Sequence, residues 1–265
     1  MKKSDIDHFF DRIFIINLES MVDRRKRMEK ELSRYGIKNY EFFAACRPDN
    51  INDYPKSYIA NFSEKLIRIN KKYSYGALGC KLSHYKIIQQ ATQKGLKKIL
   101  ILEDDCIFIK NAMRYYWPSV SKQLQNQINQ WQMFYFSGNM HSQPNMVTEY
   151  ISQASETYTT HSYALDLSNT SFTNDLLENM LDSGLEVDSF YVKKIQTNQF
   201  YKTYIAIPAL STQADGFSSI RQGNKSYSSK IFKHGEAINQ SLTYKIGRFC
   251  LRFLKKNSRK TTNSK

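Results

Sequence analysis

The residues best suited to chemistry are three consecutive acids, Glu103, Asp104 and Asp105, which follow the apolar run 99–102. Such a run predicts a buried strand, and ligands of open α/β sheets collect beyond the carboxyl ends of their strands. Carboxylates suit Mg²⁺ and Mn²⁺, whose other ligands are commonly waters and substrate phosphates. The acids therefore predict a cation site facing a phosphorylated ligand. Phosphohydrolases, P-loop enzymes and response regulators share this pattern, and a solvated acidic turn is the competing interpretation.

A second motif is the segment 76–84, GALGCKLSH. Small residues such as Gly79 let a neighbouring backbone or a ligand approach closely, and Ser83 and His84 fall on the helix predicted next. The alternative is a tight helix start packed on the sheet, with His84 as a hydrogen-bonded core residue. Neither GxGxxG nor GxxxxGK[ST] occurs in the sequence, which argues against dinucleotide and P-loop nucleotide binding.

Four further residues carry polar groups at or near the ends of predicted elements. Asn17 lies at the end of the apolar run 13–18, and the pair Arg24-Arg25 follows it. Arginines of this kind can bind a diphosphate, although a solvated basic helix face is the better explanation of the pair. Asp188 lies between a valine and a predicted helix start, where it is either a chemical group or an N-cap.

These residues must be positioned by a predicted α/β fold. The first 45 residues indicate a strand–helix–strand unit with Gly36 as the helix C-cap, and Ser168 is predicted to cap a later helix. Segments 47–75 and 139–160 are predicted as loops. Strands are predicted at 13–18, 40–45, 98–102, 132–136, 162–167 and 201–207, and helices at 21–35, 78–91, 112–128, 168–181 and 187–195.

The composition restricts the partners and the compartment. The formal net charge of +15 indicates an anionic partner: nucleic acid, an anionic membrane or a phosphorylated substrate. Four cysteines without a CxxC pair favour free thiols in a reducing compartment. The N-terminus carries charges where a signal peptide needs an apolar run, and no apolar run is long enough to span a bilayer. We expect a cytoplasmic protein, peripheral on the cytoplasmic face of the inner membrane.

The C-terminal segment 241–265 has the pattern of a basic amphipathic helix. Its apolar side chains share one helical face, and its lysines and arginines lie largely on the other. This pattern is typical of a helix lying in an anionic membrane surface. The alternative is a helix packed on the domain with a disordered basic end. We therefore divide the chain into a catalytic-type domain at 1–225 and a tail at 226–265.

Seven segments, in order, resemble glycosyltransferase family 25, the lipooligosaccharide-type galactosyltransferases related to procollagen galactosyltransferases. Two departures, Cys46-Arg47 and Thr170-Ser171, stand where the family often has glycine and Gly-Ala. They affect the prediction of the acceptor more than that of the catalysis. The matching segments are 13–25, 41–45, 76–88, 99–106, 162–177, 185–191 and 207–220.

The resemblance implies a GT-A-like, Rossmann-type mixed sheet flanked by helices. It also implies an inverting transfer of a hexose, often galactose from UDP-galactose, to a saccharide or glycolipid acceptor in lipooligosaccharide or LPS synthesis. Mn²⁺ or Mg²⁺ on Glu103, Asp104 and Asp105 would stabilise the UDP leaving group. Asp188 is the candidate base for the acceptor hydroxyl.

The resemblance also implies a site for the sugar donor. Two functions remain as alternatives to the transferase. No nucleic acid is expected as a partner, yet the charge keeps a nucleic-acid-binding module as one alternative. A nucleotidyltransferase using the same metal site is the other. The residues predicted to bind the donor are Asn17, Arg25, Gly79, Ser83, His84 and Asp104.

Overall fold

A computed structural model of the protein describes residues 5–47, 71–128, 130–218 and 223–225. These residues form one large mixed sheet flanked by helices, so the predicted fold class is confirmed. The predicted amphipathic tail lies outside the described residues. The α-helices are α1 (Asp5–Phe9), α2 (Val22–Arg34), α3 (Lys71–Gln93), α4 (Lys110–Tyr115), α5 (Trp117–Asn126), α6 (Thr170–Asn179) and α7 (Val187–Phe190), and a π-helix covers Tyr191–Gln196.

The strands divide between a main sheet and three small pairs. The main sheet has eight strands in the order β2-β1-β3-β10-β5-β11-β8-β7, and the pairs are β4 with β12, β6 with β9, and β13 with β14. The strands are β1 (Arg12–Asn17), β2 (Tyr40–Ala44), β3 (Lys98–Glu103), β4 (Cys106–Phe108), β5 (Met133–Tyr135), β6 (Asn139–Met140), β7 (Asn145–Met146), β8 (Ile151–Gln153), β9 (Thr157–Tyr158), β10 (Ser162–Asp166), β11 (Thr203–Ala206), β12 (Ser211–Gln213), β13 (Gly216–Ser218) and β14 (Gly223–Lys225).

The strand directions bring distant parts of the sequence to one edge of the sheet. Strand β1 is parallel to β2 and β3, so the predicted strand–helix–strand unit is present. Strand β10 runs antiparallel to β3 and β5. The carboxyl ends of β1 and β3 therefore lie beside the start of β10. Residues that follow β1 and β3, or precede β10, meet at this edge.

Both faces of the sheet are covered, which explains the unbroken apolar runs. In β1, Ile13 and Ile15 pack toward α1, α2 and α5, whereas Phe14 and Ile16 pack toward α3 and α6. Successive side chains of a strand point to opposite faces, so a strand buried on both sides must be apolar at every position. The two apolar layers hold the edge of the sheet rigidly.

Helix α3 and the region after it differ from the sequence-based prediction. Helix α3 begins at Lys71, before the predicted start at 78, so Gly76 lies inside the helix and not in a turn before it. The predicted helix 112–128 is two helices, because Pro118 lacks an N–H and occupies the first turn of α5. The predicted loop 139–160 contains four short strands, of which β7 and β8 join the main sheet.

Two predicted helix ends can be compared directly. Gly36 has a φ of 65° just beyond α2, the left-handed conformation expected at a helix C-terminus. The predicted cap Ser168 is wrong: Asn169 caps α6, where its side-chain oxygen accepts a hydrogen bond of 2.9 Å from the Phe172 N–H. Both residue types favour N-caps, and sequence alone did not distinguish neighbouring positions. Within the described ranges, no helix is long and apolar enough to cross a membrane.

Candidate active site

The acids lie where β3 ends. Glu103 is the last residue of β3, and Asp104 and Asp105 form the turn into β4. Backbone hydrogen bonds hold this turn: the Glu103 N–H donates to the His161 carbonyl at 2.9 Å, and the Asp104 N–H donates to the Ile16 carbonyl at 3.1 Å. The Asp105 carbonyl accepts from the Ala214 N–H at 2.8 Å. We call residues 103–105 the acid turn.

Three side chains on the β1–α2 side of the acid turn, Asn17, Arg24 and Arg27, donate hydrogen bonds to Asp104. We call them the basic wall, after the two arginines. Asp104 Oδ2 accepts from Asn17 Nδ2 and Oδ1 from Arg24 Nη1, each at 2.7 Å. Arg27 donates to the Asp104 carbonyl at 2.9 Å. Burial acts to lower the pKa of Arg24, but the hydrogen bond and charge of Asp104 outweigh it, so this pKa is raised. Metal binding by Asp104 stays a prediction, and an ion would share its oxygens with these two donors.

Glu103 faces a histidine on helix α3. Glu103 Oε1 accepts a hydrogen bond of 2.8 Å from Thr160 Oγ1 and lies 3.5 Å from His84 Nε2. Burial acts to raise the pKa of Glu103, but the interaction with His84 outweighs it, so the pKa is lowered. The Glu103 carboxylate is therefore ionised at neutral pH and oriented by two neighbours.

Asp105 has an oxygen without a partner. Its Oδ2 accepts from Gln213 Nε2 at 3.0 Å, whereas its buried Oδ1 has no hydrogen bond in the described part of the chain. Burial and the charges of Glu103 and Asp104 raise the pKa of Asp105 to about 7, against the effects of Gln213 and Arg24. A divalent cation would relieve the repulsion between these carboxylates and provide a partner for Oδ1. Glu103 and Asp105 therefore fit a cation site.

Helix α3 presents Ser83 and His84 to the end of the sheet. His84 Nδ1 shares a hydrogen bond of 2.8 Å with the Tyr163 hydroxyl. Ser83 Oγ donates to the Gly79 carbonyl at 2.7 Å and accepts from the Cys46 N–H at 2.8 Å, so it ties the helix to the segment after β2. The predicted donor-site role of Ser83 and Gly79 stays a prediction.

Asp188 belongs to the same acidic region. It lies in the first turn of α7, and its Oδ1 accepts from the Ser189 N–H at 2.7 Å. The residue at the N-cap position of α7 is Glu186, so the N-cap interpretation of Asp188 is wrong. Burial, followed by the carboxylates of Glu103, Asp188, Glu186 and Asp105, raises the pKa of Cys80 well above its usual value. Four carboxylates thus act on the space next to Cys80.

Arg25 is placed elsewhere. Its Nε lies 3.2 Å from Glu29 Oε1, and its guanidinium lies 4.2 Å above the Phe42 ring. The adjacent Arg24, and not the predicted donor-site residue Arg25, contacts the acid turn. The predicted site residues that meet at the sheet edge are Asn17, His84, Glu103, Asp104 and Asp105.

Sequence reasoning missed the residues that approach from β10 and β12. Thr160 and His161 precede β10, and Gln213 ends β12. His161 Nε2 shares a hydrogen bond of 2.7 Å with Ser137 Oγ, and burial lowers the pKa of His161 to about 4. Thr159, just before them, has a φ of 76°, which is strained for a β-branched residue. For Thr160 and His161 the available signal was their position before a predicted strand, and the antiparallel pairing of β10 with β3 brings them to the acids. Gln213 reaches the acids through the pairing of β12 with β4.

Comparison with known proteins finds a protein family whose model matches more than half of the chain. A family model described as "Glycosyltransferase family 25 (LPS biosynthesis protein)" matches residues 10–172. A "Glycosyltransferase 25 family member" of Drosophila melanogaster is 32% identical over 112 residues, which cover 39% of this chain and 18% of that protein. "Procollagen galactosyltransferase 1" of Danio rerio is 32% identical over 139 residues, covering 48% and 21%. "Lipooligosaccharide biosynthesis protein lic2B" of Haemophilus influenzae is 30% identical over 103 residues, covering 38% and 36%.

These matches cover little of the relatives' own length. This chain spans only 18% to 36% of the three relatives named above. Among solved structures, the "Crystal structure of a glycosyltransferase involved in the glycosylation of the major capsid of PBCV-1" aligns over 72% of this chain and 71% of that one. Its sequence identity is 14% and its TM-score is 0.32, which is too weak a likeness to support an argument.

Proposed function

This chain belongs to glycosyltransferase family 25, and we propose that it is an inverting, metal-dependent transferase that moves a hexose from a UDP-sugar to a saccharide acceptor. The observation that carries the proposal is the acid turn, where Asp105 Oδ1 is buried without a hydrogen-bond partner in the described ranges. Asp105 shares the end of β3 with Glu103. Two carboxylates at the end of a buried strand suit a hard divalent cation.

Glu103 and Asp105 would hold Mn²⁺ or Mg²⁺, with Asp104 as a further predicted ligand. The cation, when bound, supplies positive charge that stabilises the diphosphate of the departing UDP. Asn17 and Arg24 keep Asp104 in one orientation. Because this contact fixes its orientation beside the acid turn, Arg24 supplies a charge that is organised before the donor arrives.

Asp188 is the proposed base. An inverting transfer needs a group that removes the proton from the acceptor hydroxyl as this hydroxyl attacks the sugar. Asp188 is partly exposed, and its charge acts on the same space beside Cys80 as those of Glu103 and Asp105. The Ser189 N–H donates a hydrogen bond to Asp188 Oδ1 and so orients the carboxylate.

The names of the relatives suggest the substrates to test first. The Danio rerio relative is named a procollagen galactosyltransferase, and the Haemophilus influenzae relative is named a lipooligosaccharide biosynthesis protein. We take from them UDP-galactose as the first donor and a saccharide or glycolipid of the lipooligosaccharide type as the acceptor. His84, Asn17 and Arg25 remain proposed donor-site residues.

A donor screen tests the proposal. Purified protein with Mn²⁺ or Mg²⁺ is incubated with a series of UDP-sugars, and UDP release is measured with and without a saccharide acceptor. We expect one UDP-hexose to give metal-dependent release, and Asp105→Ala to abolish both metal-dependent UDP binding and release. Glu178→Ala removes an exposed acid of α6 and is the matched control, which should release UDP at the wild-type rate. Wild-type turnover by Asp105→Ala would remove the metal assignment.

The same assay separates the rival functions. Titration with nucleoside triphosphates in place of UDP-sugars would reveal a nucleotidyltransferase as pyrophosphate release. For Asp188→Asn we expect UDP-sugar binding to be retained and transfer to be lost. Loss of donor binding in this variant would make Asp188 a structural or metal-supporting group.

We also propose that the tail directs the enzyme to the cytoplasmic face of the inner membrane. The sequence of 241–265 predicts a helix with apolar residues on one face and cations on the other, as in helices that bind anionic membrane surfaces. Replacing Lys255, Lys256 and Arg259 by Gln should weaken binding to phosphatidylglycerol vesicles, with little change in binding to phosphatidylcholine vesicles. Equal binding of the wild type to both vesicles would argue against this location.

A further inference from the structure

Helix α3 carries a second potential ligand set next to the acid turn. Cys80 and His84 are four residues apart on α3, so their side chains share one face of the helix. The Cys80 sulfur, a His84 nitrogen and a Glu103 carboxylate oxygen all lie within 4.8 Å of one another. We propose that these three side chains bind a borderline-soft divalent ion of the Zn²⁺ type. The proposal stands without the transferase activity, although it shares Glu103 with the hard-cation site.

The spacing between His84 and Glu103 is that of two ligands on one ion. His84 Nε2 lies 3.5 Å from Glu103 Oε1, which is long for a hydrogen bond. In a tetrahedral zinc site, nitrogen and oxygen each lie about 2.0–2.2 Å from the metal, so the two atoms are roughly 3.4 Å apart. His84 is 0% exposed, and its Nε2 has no hydrogen-bond partner in the described part of the chain. A buried nitrogen of this kind is suited to bind an ion.

Both His84 and Glu103 are already oriented by a second partner. The Tyr163 hydroxyl shares a hydrogen bond with His84 Nδ1, and Tyr163 in turn contacts the Tyr191 hydroxyl at 2.9 Å. Thr160 Oγ1 donates to Glu103 Oε1 at 2.8 Å. Histidines that bind metals usually donate the other ring N–H to a neighbour, and metal-binding carboxylates are themselves hydrogen-bonded. In the tautomer whose Nδ1–H is donated to Tyr163, Nε2 keeps a lone pair that can bind the ion.

The chemical types of the three ligand atoms indicate which metal ion the site would prefer. Thiolate and imidazole favour Zn²⁺ over Mg²⁺ or Mn²⁺, which prefer oxygen. Three protein ligands leave a fourth tetrahedral position for water or a substrate atom. When the metal–sulfur bond forms, the Cys80 thiol proton passes to the solvent, so binding releases one proton. Cys80 and Glu103 are both partly exposed, which gives an ion access to the site.

Cobalt titration of the untagged full chain tests the site. Co²⁺ substitutes for Zn²⁺, and a cobalt–thiolate bond gives a near-ultraviolet charge-transfer absorption. We expect one equivalent of Co²⁺ to produce this absorption in the absence of any nucleotide sugar, and Zn²⁺ to remove it. Cys80→Ser should abolish the absorption while keeping the wild-type circular dichroism. Tyr163→Phe should weaken Co²⁺ binding by about tenfold or more, because it removes the partner of His84.

Matched variants make the result decisive. Cys46→Ser and Cys250→Ser should keep the absorption, and so should Asp105→Asn, which alters only the hard-cation site. Absence of the absorption in folded wild-type protein would mean that His84 and Glu103 form a metal-free ion pair, and would overturn the proposal. Its persistence in Cys80→Ser would do the same. A chain that gives the absorption but releases no UDP keeps this proposal and contradicts only the proposed transferase.

Discussion

The polar atoms on the two sides of the acid turn differ in whether they have hydrogen-bond partners. On the side of the basic wall, both oxygens of Asp104 have donors. On the side of α3 and β12, the buried atoms Asp105 Oδ1, His84 Nε2 and Gln213 Oε1 have no hydrogen-bond partner in the described residues. An unsatisfied buried polar atom costs about 1–3 kcal/mol. A folded protein with several such atoms close together is therefore stabilised by a ligand that binds them.

This difference separates two roles for adjacent acids. Asp104 fixes Asn17 and Arg24, so its contacts contribute to the stability of the fold. Asp105 is held on one oxygen by Gln213, while burial raises its pKa to about 7, so its charged form destabilises the metal-free protein. We infer that the basic wall holds Asp104 in one orientation, whereas the opposite side leaves its buried polar atoms available to a ligand. Each prediction below tests this division.

The largest expected effect is on activity. Asp105→Asn should lower UDP release by at least about 10²-fold, the order of effect seen when one electrostatic contact to a transition state is lost. The amide keeps the size of the side chain and leaves an oxygen to accept from Gln213, so the fold should survive. Steady-state kinetics with Mn²⁺ present would measure it. A loss below tenfold would mean that Asp105 does not face the reacting groups.

The stability of the two aspartate variants should change in opposite directions. Asp104→Asn should lower the free energy of unfolding by about 2–3 kcal/mol, since it leaves Arg24 partly buried beside an amide. Asp105→Asn should raise it at pH 8 by about 1–2 kcal/mol. Because the pKa of Asp105 is raised from 3.8 to about 7, the wild type loses stability as the pH rises from about 4 to 7, and this loss is complete at pH 8. Urea denaturation in the presence of a chelator would give both values. A drop for both variants would show that the two sides are equivalent.

The pH dependence of stability should identify His161 as a supporting group. Burial lowers the pKa of His161 to about 4, so the unfolded chain binds this proton near pH 6.5 and the folded protein does not. The stability contribution is present above pH 6.5 and is lost as the pH falls toward 4. At pH 5 the wild type should have lost about 2 kcal/mol from this group. His161→Gln, whose amide nitrogen replaces Nε2 beside Ser137, should lose correspondingly less over the same range, as measured by urea denaturation at each pH.

The main strands and helices and the acid turn could be predicted from the sequence, whereas the residues that surround the acids could not. The run before Glu103 identified β3, because a strand buried on both faces has no polar position before its end. The start of α3 was misplaced because glycine inside a helix is rare enough to suggest a turn. Thr160, His161 and Gln213 depend on the pairing of β10 with β3 and of β12 with β4. Such long-range pairings leave no local pattern in the sequence.

The smallest expected effect concerns the two neighbouring arginines, of which the sequence analysis assigned Arg25 to the donor site. Arg24→Gln should reduce UDP release by about tenfold, because Arg24 orients Asp104 within the acid turn. Arg25→Gln should change release less than threefold and stability by less than about 0.5 kcal/mol, because its partner Glu29 is exposed and surface ion pairs contribute little. Kinetics and denaturation of both variants would check this. A larger loss for Arg25→Gln would restore the donor-site role predicted for Arg25, and would require its guanidinium to leave the Phe42 ring when the donor binds.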